Sequence, residues 1–471
     1  MATFYVENFG CRATQADGAA IEQQFRGLGL ERAEAAIDAE VVVLNTCTVT
    51  ASADQDARAA IRRIHRKNPG CQIVVTGCYA QRAPDEIAAI PGVTRVIGNS
   101  HKHQLAEIAT ERKATNFVPL SNLSSSLSRA GRISVSDIFA HTELLAAPVF
   151  DAPNARTRPN LKVQDGCDNR CSFCVIPSVR GQSRSLPLPR ILEEVNTLVA
   201  AGYKEVVISG INLGRWGRDL PQPSRFEKLV QAILHETDLE KLRISSVEPM
   251  DWSNELIGLV ADSPRIAKHA HVPMQSGSDK ILRSMHRKYR PWHYREKIEK
   301  IRAAMTDAAI GADVMTGFPG ETEEDFEETR RMIEELPFTY LHVFTYSSRP
   351  GTASEKMPTQ VPVNVARERN QTLREIATRK KRAFRESFMG KTIEAITLDV
   401  KHHAEGAQLT EALTDNYLKM HITGNHLPNQ WLRVQITGIH NDALLGVVQH
   451  GFPQQTAAYR EHSMPLSSQS A

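Results

Sequence analysis

Residues 161–177 read LKVQDGCDNRCSFCVIP, a short strand-forming run that passes directly into a loop carrying Cys167, Cys171 and Cys174. Three thiolates at C-x3-C-x2-C spacing can hold three irons of a cubane cluster, whereas clusters kept only for electron transfer usually take four protein ligands. No fourth cysteine follows, so one iron is left open to a chelating ligand. A zinc knuckle would complete its ligand set with another Cys or His at regular spacing, and no nearby histidine does so.

Strand-like runs recur on the C-terminal side of this loop. KEVVISG, KLRISSVE, HAHVPM, GADVMTGFPG and YLHVFTYS alternate with helical patterns, and their ends carry Gly, Glu, His, Gln and Arg. Repeated βα units with polar strand ends predict a full or partial barrel whose site lies at that face. On the N-terminal side, TFYVENF, VVVLNT and IVVTG read as buried strands of a parallel sheet flanked by helices. Between the two, Ser-, Ala- and Pro-rich text (SNLSSSLSRAG, AAPVFDAPNARTRP) reads as an extended connector with one strand. After the barrel, IEAITLDV, GAQLTEALTDNYLKMHIT and QWLRVQITGIHNDALLGVV predict a small antiparallel β-barrel. The expected fold class is α/β. Its parts are a parallel α/β domain at 1–115, a connector at 116–154 and a partial (β/α) barrel at 155–386. A small antiparallel β-barrel at 387–451 and a disordered tail at 452–471 complete the chain.

The seven cysteines are unevenly placed, with four before residue 80 and three near 170. Cys11 follows TFYVENFG, Cys47 follows VVVLNT and Cys78 follows IVVTG, so all three stand just past the C-terminal ends of successive strands. In an open parallel sheet those ends form one edge, where binding crevices lie. Three cysteines converging there can hold a second cluster with a free iron. Cys71 begins the strand that Cys78 ends and falls about 20 Å away at ~3.3 Å per residue, so it is excluded. A second cluster whose open iron binds a sulfur species can act as a sulfur donor.

Composition excludes other classes. Hydrophobic content of 41% and charged content of 24% are those of a globular protein. The N-terminal text lacks a basic patch followed by an apolar core, and no run approaches the ~20 apolar residues that span a bilayer. A cytoplasmic enzyme is expected, and in that reducing compartment clustered cysteines point to metal rather than disulfides. A net charge of +3 does not by itself indicate nucleic acid. Two helical stretches, 58–67 and 367–385, are nevertheless basic.

The three-cysteine loop resembles that of the radical S-adenosylmethionine superfamily. In such enzymes the open iron chelates the amino and carboxylate groups of S-adenosylmethionine, and an electron from the cluster releases a 5′-deoxyadenosyl radical. The resemblance implies that Phe173 lies beside the adenine of that cofactor. It also implies that Gly317 and Glu321 of GFPGE border its adenine or ribose. Glu248 in SSVEP, and His271 and Gln275 in HVPMQSGS, hold similar strand-end positions.

Across nearly the whole chain FGCRATQAD, NTCTVT, TGCYAQ, QDGCDNRCSFCVIPSVRGQSRS, HVPMQSGSDKILRSMHRKY, GFPGETEEDF and FTYSSRPGTAS look like the methylthiotransferases. This likeness implies two 4Fe-4S clusters, on Cys167, Cys171 and Cys174 and on Cys11, Cys47 and Cys78. It also implies two molecules of S-adenosylmethionine, one as methyl donor and one as radical source. The C-terminal barrel is similar to a TRAM module, which is associated with RNA. CRATQAD and NTCTVT are most similar to the branch acting on N6-threonylcarbamoyladenosine in tRNA. The isopentenyladenosine branch, and a branch that modifies an aspartate of a small-subunit ribosomal protein, share the cysteine chemistry. The implied partners are a tRNA anticodon stem-loop and an electron donor of flavodoxin or ferredoxin type, with the enzyme itself a monomer. Residues 391–450 carry four Lys/Arg against six Asp/Glu. Phosphate contacts are therefore expected from the basic helices, with Arg180 and Arg184 nearer the site.

Overall fold

The computed structural model describes residues 2–110, 133–140, 144, 158–404, 407–440 and 442–449. Most of the expected connector and the whole of the expected tail lie outside the described residues. The N-terminal unit is built on β1 (Thr3–Asn8), β2 (Glu31–Arg32), β3 (Val41–Thr46), β4 (Gln72–Gly77), β5 (Val93–Ile97) and β6 (Ile133–Ser134). These run in the order β2-β1-β3-β4-β5-β6 with every pair parallel. VVVLNT is buried at all positions because both sheet faces are covered. Val41 and Val43 pack with Ile21 and Phe25 of the helix Arg12–Gly27, while Val42 and Leu44 pack with Ile61 and Ile64 of the helix Ala51–Lys67.

The central unit holds β7 (Asn160–Asp165), β8 (Arg184–Ser185), β9 (Glu205–Gly210), β10 (Lys241–Ile244), β11 (His269–His271), β12 (Ala309–Thr316) and β13 (Tyr340–Thr345). Two hydrogen-bonded sheets, β10-β9-β7-β8 and β11-β12-β13, are joined by bridges Leu242↔Ile266 and Ser246↔His271. The parallel strands β7, β9, β10, β11, β12 and β13 thus follow chain order around a partial barrel, with no pairing between β7 and β13 among the described residues. Side chains alternate across a strand. Ala270, Ala312, Val314 and Val343 enter the large core beneath the helices. His271, Asp313 and His342 consequently face the interior.

The C-terminal unit is a closed barrel of β14 (Thr392–Ala404), β15 (Ala407–Thr414), β16 (Lys419–Thr423), β17 (Trp431–His440) and β18 (Ala443–Val448), in the order β14-β15-β16-β18-β17. Four pairs are antiparallel and β16–β18 is parallel. Five strands cannot alternate in direction all the way round a ring, so closure requires one such pair. This barrel caps the base of the central unit. Arg243 donates to the Thr414 and Asp415 carbonyls at 3.4 and 3.3 Å, and the Tyr417 ring lies 4.7 Å from that of His269.

Candidate metal centres

β7 delivers the central cysteine loop at the C-terminal mouth of the partial barrel. The loop is tied down by its own backbone. Cys167 N–H donates to Gly181 O, Cys174 N–H to Cys171 O and Ser172 N–H to Met285 O, each at 3.1 Å. Two side chains donate to the sulfurs, Arg287 Nη1 to Cys171 Sγ at 3.2 Å and Asn212 Nδ2 to Cys167 Sγ at 3.6 Å. Burial pushes the Cys167 thiol up to about 11 and the Cys174 thiol up to about 12. Thiols in that state ionise only against a neighbouring cation, as metal loading supplies. Three soft donors in one partly buried loop, two of them already accepting from side-chain donors, suit an iron–sulfur cluster.

The expected cofactor residues gather around this mouth. Phe173 packs with Ile281, Met285, Met315 and Phe318, its ring edge-on to Phe318 at 6.3 Å. Gly317 has φ +76, and a Cβ there would sit 2.4 Å from the Ala366 side chain, so the GFPGE turn requires glycine. Glu321 is committed to that turn: its Oε2 accepts from Gly317 N–H at 2.5 Å and from Arg369 Nη1 at 3.0 Å. Burial raises the Glu321 carboxyl. Glu248 is ion-paired to Arg287, which places it beside the Cys171 donor, and burial raises its carboxyl against the pull of that guanidinium. Gln275 adopts φ +64, a strained conformation for a residue with a side chain. Among the described residues its buried Oε1 has no hydrogen-bond partner, nor have Ser209 Oγ and Asn212 Oδ1 at the end of β9. Orphaned buried polar atoms at strand ends are the features a polar cofactor would satisfy, so the residues present fit S-adenosylmethionine.

The N-terminal cysteines converge through sheet register. Asn8 pairs with Asn45, Asn45 with Thr76, and Thr46 with Gly77. Cys47 and Cys78 therefore leave adjacent strands at the same level, and Cys11 follows β1 on the other side of β3. Gly10 (φ +105) comes so close that a Cβ there would lie 2.7 Å from Cys47 Cβ. Asn45 fixes the loop bearing Cys11 by donating to Asn8 Oδ1 at 3.0 Å and Thr14 O at 2.8 Å. Burial pushes the Cys47 thiol up to about 12, reinforced by Cys78 and Cys11 beside it. Cys71 stands before β4 at the opposite edge and packs against the core there.

The two triads are neighbours. Cys78 packs with Val175, Ile176 and Val179, the residues immediately after Cys174. Asn99 Nδ2 donates both to Cys78 Sγ at 3.7 Å and to Val179 O at 2.7 Å. Beneath them lies a buried ionic network that no motif in the chain announces. Asp17 accepts from Lys102 at 2.9 Å, from Arg180 at 3.0 Å and from Lys162. Asp165 accepts from Lys162 at 2.9 Å and Arg180 at 2.8 Å. Although burial opposes its ionisation, the three cations hold the Asp17 carboxyl well below the usual carboxylate range. A second bridge of the same kind pairs Asp54 with Arg82 and Arg349.

These ion pairs correct the expected RNA contacts. Arg180 is 2% exposed and belongs to the network, and Arg184 is largely buried, donating to Arg180 O at 2.9 Å, so neither meets solvent phosphate. In the helix Val363–Glu386, Lys380 donates to the Glu334 and Leu336 carbonyls at 2.8 Å, capping a neighbouring helix. Arg379 and Arg382 remain exposed. On the helix Ala51–Lys67, Arg62, Arg66 and Lys67 are exposed, while Arg58 pairs with Glu86.

Comparison with known proteins adds to this geometry. Residues 3–98 match the uncharacterized protein family UPF0004, and residues 161–333 match the Radical SAM superfamily. The chain is 36% identical to the threonylcarbamoyladenosine tRNA methylthiotransferase MtaB of Bacillus subtilis, covering 90% of this chain and 91% of that protein. It is 34% identical to the Aquifex aeolicus protein of the same name, over 91% and 99%. A tRNA-2-methylthio-N(6)-dimethylallyladenosine synthase of Thermobifida fusca is 33% identical over 84% and 78%. Among solved structures, the radical S-adenosylmethionine methyltransferase TsrM of Kitasatospora setae superposes with a TM-score of 0.52 at 14% identity, covering 75% of this chain and 77% of that one. That likeness speaks to fold alone.

Proposed function

The chain belongs to the radical S-adenosylmethionine methylthiotransferase family, and from that premise we propose that it adds a methylthio group at C2 of N6-threonylcarbamoyladenosine next to the tRNA anticodon. The observation that carries this reading is the packing of Cys78 against the residues that follow Cys174, which brings two three-cysteine sites together. Cys167, Cys171 and Cys174 would hold one 4Fe-4S cluster, and Cys11, Cys47 and Cys78 the second. When bound, the clusters and S-adenosylmethionine supply the carbon radical, the sulfur and the methyl group.

The chain's own residues bind and orient. Gln275, Ser209 and Asn212 offer unpartnered polar atoms to the cofactor's charged end. Phe173 and Phe318 offer an apolar wall for its base. Glu321 positions the Gly317 turn, and Arg287 orients Glu248. The exposed cations Arg62, Arg66, Lys67, Arg379 and Arg382 serve phosphate. A cytoplasmic monomer reduced by a flavodoxin- or ferredoxin-type donor completes the reading. Among the described residues no helix is long and apolar enough to cross a membrane.

Nucleoside analysis of tRNA from cells lacking the gene tests the substrate. Loss of 2-methylthio-N6-threonylcarbamoyladenosine is expected. Loss of the dimethylallyl product instead would favour the activity named for the 33%-identical relatives. Charge reversal at Arg62, Arg66 and Lys67 should weaken tRNA binding and flatten its salt dependence by up to ~0.9 for each phosphate no longer neutralised. Unchanged affinity would remove that helix from the interface.

A further inference from the structure

His271, Asp313 and His342 come from three adjacent strands, β11, β12 and β13, and meet on the interior face of the partial barrel. One donor atom from each lies within 4.8 Å of the others. Asp313 Oδ1 is 3.1 Å from His342 Nδ1 and 3.3 Å from His271 Nε2. Nine-tenths of the His271 side chain is buried, yet among the described residues neither ring nitrogen makes an aligned hydrogen bond, Nε2 having only its 3.3 Å contact with Asp313. The ring is stacked 5.9 Å from Tyr340 and lies tilted 5.3 Å from His342. The other side of the group is open, since the His342 side chain is 64% exposed.

Two neighbouring arrangements sharpen the point. His269, one pleat below, is engaged in packing, with Nε2 2.6 Å from Tyr340 Oη and its ring against Tyr417. No carboxylate joins it there. On the C-terminal barrel, His402, Glu411 and His421 also converge, but Glu411 already takes Lys419 Nζ at 2.9 Å. A fixed ammonium there opposes a second cation. The group inside the partial barrel combines an anionic oxygen, two imidazoles, unpartnered nitrogens and an open side, and none of its salt bridges involves a lysine or arginine.

We propose that His271, Asp313 and His342 bind one first-row divalent cation, of the Zn2+ or Mn2+ class, inside the barrel. Two imidazoles and one carboxylate are a donor set for such ions, and leave coordination positions free for another ligand. Those positions face the interior that the substrate enters. The bound ion turns a wall made anionic by Asp313 into a cationic one, so it attracts an oxyanion such as the carboxylate of a threonylcarbamoyl group. This role rests on the substrate reading above; the cation site does not.

The test uses the cluster-loaded enzyme, in which the cysteines are occupied, after dialysis against a chelator. Calorimetric titration with Zn2+ should show one equivalent bound. His342→Ala and Asp313→Asn should weaken it at least tenfold with iron content unchanged, and Glu411→Gln should leave it intact. Absence of a saturable equivalent, or equal binding by both barrel variants, overturns the site. Added N6-threonylcarbamoyladenosine should tighten Zn2+ binding where adenosine does not; equal effects overturn the role alone. Zn2+ binding by an enzyme whose loss leaves the tRNA nucleosides unaltered sustains the site and overturns the substrate reading.

Discussion

Gly10 and Arg287 act on the two cysteine sites through contacts that a single substitution can break. At φ +105 and with a would-be Cβ 2.7 Å from Cys47 Cβ, Gly10 has room for no side chain, so Gly10→Ala must displace the loop that carries Cys11. Anaerobically reconstituted enzyme should then fall from roughly eight irons per chain to roughly four, one cubane's worth. Production of 5′-deoxyadenosine should persist because Cys167, Cys171 and Cys174 are untouched. Arg287 is buried between Cys171 and Glu248. Arg287→Met strands the Glu248 carboxylate, and breaking such a buried pair costs about 3–5 kcal/mol. A matching fall in the anaerobic thermal midpoint is expected, with most of it recovered in Arg287→Met/Glu248→Gln. A double variant as unstable as the single one would show that Arg287 matters for packing rather than charge. Neither residue was legible in the sequence. Gly10 looks like any turn glycine, and Arg287 lies 116 positions from the sulfur it reaches.

At the scale of elements, the helix Glu323–Glu335 is fixed at its start by a capping box between Thr322 and Asp325. Asp325 also accepts from Ser278 at 2.7 Å and Lys280 at 2.6 Å, tying the helix to the HVPMQSGS segment. Burial pushes its carboxyl up, but the Lys280 ammonium and the Thr322 and Ser278 donors outweigh it and hold the carboxyl down at about 2. A carboxyl lowered on folding stabilises above its unfolded pKa of ~3.9, and that contribution fades as pH falls through the folded value. Asp325→Asn should therefore cost about 1 kcal/mol at pH 7. The gap to wild type should narrow steadily as denaturation is repeated from pH 4 towards 2; a constant gap would contradict the assignment. Elements such as VVVLNT and IVVTG were readable because burial on both faces writes itself as a continuous apolar run. The helix Val363–Glu386 was readable at 367–385 as a basic helical stretch, but not in what its cations do. Lys380 and Arg379 are adjacent in sequence, yet one caps carbonyls of the neighbouring helix and the other is exposed. Periodicity gives a residue's face, and only packing decides whether that face meets solvent.

For the whole molecule, the six cysteines proposed to hold clusters stood out in the sequence for two different reasons. Cys167, Cys171 and Cys174 announce themselves by local spacing, and Cys11, Cys47 and Cys78 by their places after strands that pair in register. The apparatus that brings the sites together was not legible, because its members are joined only by folding. Asp17 is 85 positions from Lys102, 145 from Lys162 and 163 from Arg180. Several members are nevertheless close in sequence to a cluster cysteine, with Asp17 after Cys11, Asp165 before Cys167 and Arg180 after Cys174. The network therefore ties the helix that follows Cys11 to β7 and to Arg180 after Cys174, and a positioning role predicts more than a structural one. Asp17→Asn takes the carboxylate away from buried Lys102 and leaves Lys162 and Arg180 facing Asp165, at a cost of about 3–5 kcal/mol. A merely structural role would lower stability and scale all activities together. A positioning role separates them: cleavage of S-adenosylmethionine to 5′-deoxyadenosine should continue at the central site while methylthio product falls by at least tenfold. Asp17→Leu/Lys162→Met, which removes one charge of each sign and fills the volume, should recover stability more than it recovers product. If deoxyadenosine and product fall in proportion, the network is a staple between the units and has no part in aligning their clusters.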